Sequence, residues 1–156
     1  MQTFLPYSAF LKSAQVLDKK RCWKQVVEAK QILDCLERVH SSNVYNNPMG
    51  KSWYNHPAVR MWEGHIIALK EYFNAFLWVS KYEHKINTKY TTLETYEGTE
   101  KYPWWLGNEN FHRAMRARLI EKDENFYYGL FIDDKGFNNG KYFWPVMDGS
   151  NTFKII

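Results

Sequence analysis

Apolar side chains recur early in the chain at steps of four and three: Cys22, Val26, Ala29, Leu33 and Leu36. At about 100° per residue these positions share one flank of a helix. Arg21, Lys24, Gln25 and Glu28 fall on the neighbouring side. The pattern therefore predicts a long helix from Asp18 to about His40, with one flank in the core and the other facing outward. Asp18 stands where a cap belongs, and a carboxylate suits the positive end of the helix dipole. Ahead of it, Ser8 reads as the cap of a shorter helix over residues 9–17 that buries Phe10, Ala14 and Leu17. The opening stretch Met1–Pro6, apolar and stopped by proline, is expected to lie against the core.

A second apolar series, Met61, Trp62, Ile66, Leu69, Phe73 and Phe76, also has helical spacing. It follows Asn55-His56-Pro57, where Asn55 or His56 can cap and Pro57 fits the first turn. The series predicts the central helix of the core, running to about Lys85, with His56, Arg60 and Glu63 on its other face. Ser41–Gly50 reads as a polar loop with turn chemistry. Residues 86–107 show no clear period, and Lys89–Leu93 is at most strand-like. Asn108 reads as the cap of a third long helix, Glu109 to about Lys122. Phe111, Met115 and Leu119 form its apolar side, and His112, Arg113 and Arg116 cluster on another. The aromatic, glycine-punctuated tail is expected to wrap over the helices. These elements predict a mostly α fold: a single compact domain, residues 1–156, of about three to four helices with an aromatic-rich, irregular C-terminal segment.

Composition changes this picture in two ways. The aromatic share is 18%, with 7 Trp, 11 Tyr and 10 Phe. Some rings are then expected at the surface, where rings beside basic groups suit stacking on bases; a core built from rings is the alternative. The charge is also uneven. Residues 1–30 hold Lys12, Lys19, Lys20, Arg21, Lys24 and Lys30 against Asp18 and Glu28, while the whole chain is only +4. The excess at the front fits a polyanionic partner, or a solvated face.

Cys22 and Cys35 lie 13 residues apart in one predicted helix. That places their Cα atoms roughly 20 Å apart, too far for a bridge, and points to a reducing compartment such as the cytoplasm or nucleoid. No apolar run reaches the ~20 residues that span a bilayer, and no leader precedes the chain, so no membrane association is expected. The five histidines are scattered, without His-x-x-x-His or Cys-x-x-Cys, so no metal is expected. Glycine-rich phosphate loops and the Gly-x-Ser-x-Gly elbow are missing, and no cofactor is expected. Carboxylate and amine chemistry on a basic surface is what remains.

Several stretches carry a resemblance. They are Met1-Gln2-Thr3-Phe4-Leu5-Pro6-Tyr7, Val16-Leu17-Asp18-Lys19-Lys20-Arg21 with Lys24-Gln25 and Glu28-Ala29, Asn55-His56-Pro57-Ala58-Val59-Arg60-Met61-Trp62, and Trp105-Leu106-Gly107 followed by Phe111-His112-Arg113. In this order, over nearly the whole chain, the sequence resembles the bacterial branch of the pyrimidine-dimer DNA glycosylase family, of the endonuclease V type. The resemblance implies a compact helical monomer that binds double-stranded DNA containing damaged bases, kinks it, and removes the base. It implies an N-terminal α-amine as nucleophile, assisted by a glutamate near the start of a basic helix. An α-amine suits that role because its pKa near ~8 leaves an appreciable neutral fraction at neutral pH, unlike a lysine near ~10.4.

The departures from the phage-type pattern matter. Those members begin, after methionine removal, with threonine; here position 2 is Gln, so the reacting amine belongs to Met1 or Gln2. They also carry Arg-Glu with a second arginine three further on. Aligned on Arg21, the glutamate slot holds Cys22 and the arginine slot holds Gln25. Glu28 is then the first candidate for the catalytic acid and Asp18 the second, although Glu28 would equally pair with Lys24 along the helix. The resemblance places Arg21, Lys24, Gln25, His56, Arg60, Arg113 and Arg116 in a DNA-binding groove around the leading amine. His56 aligns with a phage-type histidine but would also serve as a helix cap. Arg118 joins the phosphate contacts, and Tyr127 and Tyr128 match an aromatic segment near DNA or belong to the core. Two further readings stay open: a DNA-binding or repair-accessory protein without chemistry, and a glycosylase for another modified pyrimidine.

A basic surface making about five phosphate contacts predicts that log affinity falls against log salt with a slope near −0.9 per phosphate. Binding titrations across a salt series measure it. A slope near zero would make the basic helix ordinary surface.

Overall fold

The computed structural model describes residues 1–40, 53–95 and 102–156. The Ser41–Gly50 loop expected from sequence lies outside them. Helix α1 runs Phe10–Val16, with Ala9 as its cap and no side-chain bond there. Ser8 is exposed and does not cap. Instead the Ser13 hydroxyl, inside the helix, accepts the Tyr7 N–H at 3.0 Å and donates to the Tyr7 carbonyl at 2.9 Å. Ala14 and Leu17 are buried as expected, and Phe10 is half-buried.

Helix α2 runs Lys19–Val39. The Asp18 carboxylate accepts the Arg21 N–H at 3.2 Å, as the cap reading requires. The Tyr127 hydroxyl donates to the same carboxylate and accepts the Asp18 N–H at 2.9 Å. The cap is therefore also a tie to the far end of the chain.

The second apolar series does not form one helix. It divides into α3 (Pro57–Arg60), α4 (Ile66–Trp78) and a π-helical turn (Val79–Glu83). His56 caps α3, its Nδ1 accepting the Ala58 N–H at 3.1 Å. The break comes at Gly64, whose φ of +78° lies in the left-handed region that glycine enters without a Cβ penalty. Around the break the Met61 carbonyl accepts the Trp105 indole N–H at 3.0 Å. The Trp62 indole donates to Thr3 Oγ1 at 3.1 Å, so both buried indoles are satisfied. Lys89–Leu93 forms no strand; the Asn74 amide bonds both backbone groups of Leu93, at 2.7 and 2.9 Å.

Helix α5 runs Glu109–Lys122 as expected, with Asn108 accepting the Phe111 N–H at 3.1 Å. After it come a short α6 (Glu124–Tyr127), two 3-10 turns (Ile132–Asp134 and Phe137–Gly140) and an antiparallel hairpin. Its strands β1 (Phe143–Pro145) and β2 (Phe153–Ile155) pair Trp144 with Lys154. The principal packing is α2 against α4. One core joins Phe4 and Leu5 at the front of the chain to Tyr127 and Phe131 near its end, so the fold is the single, mostly helical domain expected.

Residues Gln2–Pro6 are buried and belong to no helix or strand, and no strand among the described residues pairs with them. Their backbone groups must still be bonded, and side chains of the helices do it. The Phe4 N–H donates to Gln25 Oε1 at 2.7 Å, and the Phe4 carbonyl accepts the Tyr72 hydroxyl at 2.9 Å. His112 Nδ1 donates to the Leu5 carbonyl at 2.8 Å, and Arg116 Nη1 to the Pro6 carbonyl at 2.7 Å.

His112 is 3% exposed. Its Nε2 accepts the Gly107 N–H at 2.9 Å, which fixes a neutral ring with the proton on Nδ1. Burial first, and the Arg116 charge after it, hold its pKa below the usual histidine value despite the Leu5 bond. The unfolded chain therefore takes up this proton more readily, and stability is lost as pH falls below ~6.5 and on through the lower folded value. Urea unfolding between about pH 7 and about pH 5 is expected to show this loss, at most about 1.4 kcal/mol per pH unit from this group. The slope should be shallower in His112→Gln.

Candidate active site

The buried front segment delivers the head of the chain to α2. The Gln2 backbone nitrogen donates to Glu28 Oε2 at 3.2 Å, and Glu28 is only 8% exposed. Gln25 Nε2 approaches the same oxygen at 3.5 Å, and Lys24 Nζ lies 3.7 Å from Glu28 Oε1. Met1, partly buried, packs on the core beside them. The Gln2 side chain turns back so that its carbonyl accepts the Thr3 N–H at 2.9 Å. Its buried Nε2 has no partner among the described residues.

His56 faces this cluster. Burial lowers its pKa most; the N-terminal amine's charge lowers it further, against an opposing effect of Glu28. Those couplings place the ring within electrostatic reach of both. With Nδ1 committed to the Ala58 N–H, the neutral ring carries its proton on Nε2. The cap role and the site role are thus compatible.

Other sequence-predicted residues have different places. Asp18 is the α2 cap, held below the usual carboxylate range by the Tyr127 and Arg21 hydrogen bonds, which overcome the upward effect of its burial. Arg21 is shared between Asp18 at 3.3 Å and Asp123 at 3.9 Å, and reaches the Lys122 carbonyl at 3.5 Å. Arg60 lies over the Tyr54 ring at 4.4 Å. Tyr127 is buried in the core and Tyr128 is exposed.

Three expectations are corrected. Gln25 does not face outward: it is 1% exposed and holds the Phe4 N–H and the Tyr72 hydroxyl, because the front segment covers that side of α2. Glu28 is buried for the same reason. Arg113 and Arg116 are not open cations, because both are clamped by Asp134, at 2.9 and 2.7 Å. Arg116, with its side chain 11% exposed, also bonds Glu109 and the Pro6 carbonyl. Burial would raise the Asp134 pKa, but these two guanidinium groups hold it below the usual carboxylate value. Arg116 thus braces the front segment through the Pro6 carbonyl.

Of the three arginines on α5, Arg118 is the one beside the site, together with Lys122. Burial, then the charges of Arg118, Arg21 and Lys24, push the Lys122 pKa down, with Glu28 opposing. Lys122 is thus within electrostatic reach of three other cations, of which Arg21 keeps Asp18 and Asp123 and Arg118 keeps Glu121. Lys122 itself has no carboxylate partner among the described residues. Arg118 pairs with Glu121 at 2.9 Å and lies 5.7 Å from the Tyr142 ring. The i, i+4 spacing of Arg118 and Lys122 was the one local signal for this pair. Among the described residues no group of His, Cys, Asp or Glu could hold a metal, and no helix is long and apolar enough to cross a membrane.

A family model described as pyrimidine dimer DNA glycosylase matches residues 1–81, just over half the chain. The match takes in Met1, Gln2, Glu28 and His56 and ends before α5 and the hairpin. No curated protein and no solved structure matches.

Gln25→Ala is expected to lower stability by about 1–3 kcal/mol, the cost of leaving buried backbone and hydroxyl groups unpaired. Chemical denaturation measures the loss. The salt slope of DNA binding should stay unchanged, which separates a clamp from a phosphate contact.

Proposed function

We propose, because this chain belongs to the pyrimidine dimer DNA glycosylase family, that it excises damaged pyrimidines, ultraviolet-induced dimers foremost, and then cleaves the strand as an abasic-site lyase. The observation that carries this reading is the buried Glu28 carboxylate held 3.2 Å from the Gln2 nitrogen at the head of the chain. The nucleophile is the leading α-amine. With Met1 in place it is Met1's, within electrostatic reach of His56; after loss of Met1 it is Gln2's, directly on Glu28.

The amine lone pair attacks C1′ of the damaged nucleotide. The C1′–N bond breaks, and the base leaves with the bonding electrons and takes up a proton. Opening of the sugar ring gives an iminium between C1′ and the protein nitrogen. Loss of a C2′ proton then expels the 3′ phosphate by β-elimination. Glu28 stabilises the cationic sugar and the iminium, at a depth where little water screens it. The His56 Nε2–H is free to donate toward the departing base. Lys24, Lys122, Arg118 and Arg21 hold flanking phosphates, and the lesion, already poorly stacked, is extruded at reduced cost. The protein acts as a monomer without metal or cofactor. Glu28 beside the chain head supports chemistry over a merely DNA-binding role, and incision of ultraviolet-irradiated plasmid separates the two.

Borohydride is expected to trap a covalent adduct with abasic duplex, and intact mass before and after trapping identifies the first residue and the adduct together. Glu28→Gln should reduce trapping about 100-fold or more, in the range of a lost catalytic group, while abasic-duplex binding stays within a few-fold. Failure to trap any adduct with the unaltered protein would remove the lyase step.

A further inference from the structure

A row of rings borders the site and has no part in the chemistry above. Trp53 stands 6.5 Å from the His56 ring, His56 stands 6.3 Å from Trp144, and Trp144 stands 5.5 Å from Tyr142. Two distant segments build it. A turn closed by the His56 N–H on the Trp53 carbonyl, at 3.0 Å, holds the first two rings together. Hairpin strand β1 and the residue before it supply the other two, with Tyr142 fixed by backbone bonds to Ile156 at 2.9 and 3.2 Å. Tyr142 and Trp144 pack partly against the core, but core burial does not explain the whole row, because Trp53 is 41% exposed and the other three are only partly covered.

One end of the row is open indole. The other end meets the Arg118 guanidinium over Tyr142, next to Lys122. His56 in the middle places the row beside the chain head and Glu28. Neighbouring rings in the row are tilted or edge-to-face, so each offers its own face. Exposed rings beside cations are what a protein presents to an unstacked strand: the rings take bases and the cations take phosphates. A duplex shows only its grooves and backbone, so rings of this kind find partners only where stacking has already been broken.

We infer that Trp53, His56, Trp144 and Tyr142 form a stacking platform for the nucleobases unstacked at the lesion. The platform rests on the reading that the chain acts on damaged DNA, and it assigns a reader to that reaction. Bases freed on opening the duplex lie on the indole faces, which holds the C1′ carbon of the target nucleotide toward the amine. Because every base has a π-face, the platform selects for a broken stack rather than for a sequence.

The test is binding without turnover. Fluorescence anisotropy is measured with a labelled single-stranded thymine oligonucleotide, a duplex carrying a stable abasic analogue, and an intact duplex, for the unaltered protein, Trp53→Ala and Trp53→Phe. Trp53→Ala is expected to weaken the first two by roughly 5- to 100-fold, the loss of one base–aromatic stack, and to leave the intact duplex unchanged. The salt slope should not move, since no cation is lost. Trp53→Phe should recover most of the affinity, and Trp144→Phe should resemble it. Equal affinities for Trp53→Ala and the unaltered protein on both open ligands would overturn the platform. Borohydride trapping is read in parallel: an adduct with a silent Trp53→Ala discards the platform and keeps the chemistry. Weakened binding without any adduct does the reverse.

Discussion

A buried peptide outside helix and sheet has nowhere to put its backbone hydrogen bonds unless something else supplies them. Residues 2–6 are in that position, and the rest of the molecule is arranged to answer it. Gln25 from α2, Tyr72 from α4, and His112 and Arg116 from α5 each give a side chain to one or more of those groups. Three helices are thereby locked around five residues, and the head of the chain is fixed to within a hydrogen bond of Glu28. A group that must present a nitrogen at a set place is usually mounted on a rigid element. Here a terminus, the part of a chain most prone to disorder, is made rigid by surrounding it.

That arrangement sorts the charged residues into two kinds. Behind the front segment, Asp134 draws Arg113 and Arg116 into a clamp that leaves little for a ligand. Elsewhere on α5, Lys122 has no carboxylate partner among the described residues and lies within electrostatic reach of Arg118, Arg21, Lys24 and Glu28. Both groups look alike in sequence, as basic residues on helices. What the sequence hides is the aspartate in a 3-10 turn that clamps Arg113 and Arg116 together.

What could be read from the sequence divides along the same line. The limits of α2 and α5 were legible because Asp18 and Asn108 act on a backbone N–H three residues away, a local event. Glu28 was singled out for sharing a helix face with Arg21, and its burial against the Gln2 nitrogen was not legible, because the covering segment lies 26 residues upstream. The break at Gly64 was not legible, since one glycine within a helical pattern is compatible with either outcome. Gln25 was misplaced because its partner, Phe4, lies 21 residues upstream in a segment with no period. The Arg116 clamp failed likewise, its aspartate lying 18 residues downstream. The hairpin carried no strand signal at all, its strands being three residues long.

The ties from His112 to Leu5 and from Arg116 to Pro6 span 107 and 110 residues of sequence. Contacts of such separation form late, after the intervening chain has collapsed. The opening residues therefore have their full set of partners only when α5 is in place. A chain stopped before α5 leaves the Leu5 and Pro6 carbonyls without these partners.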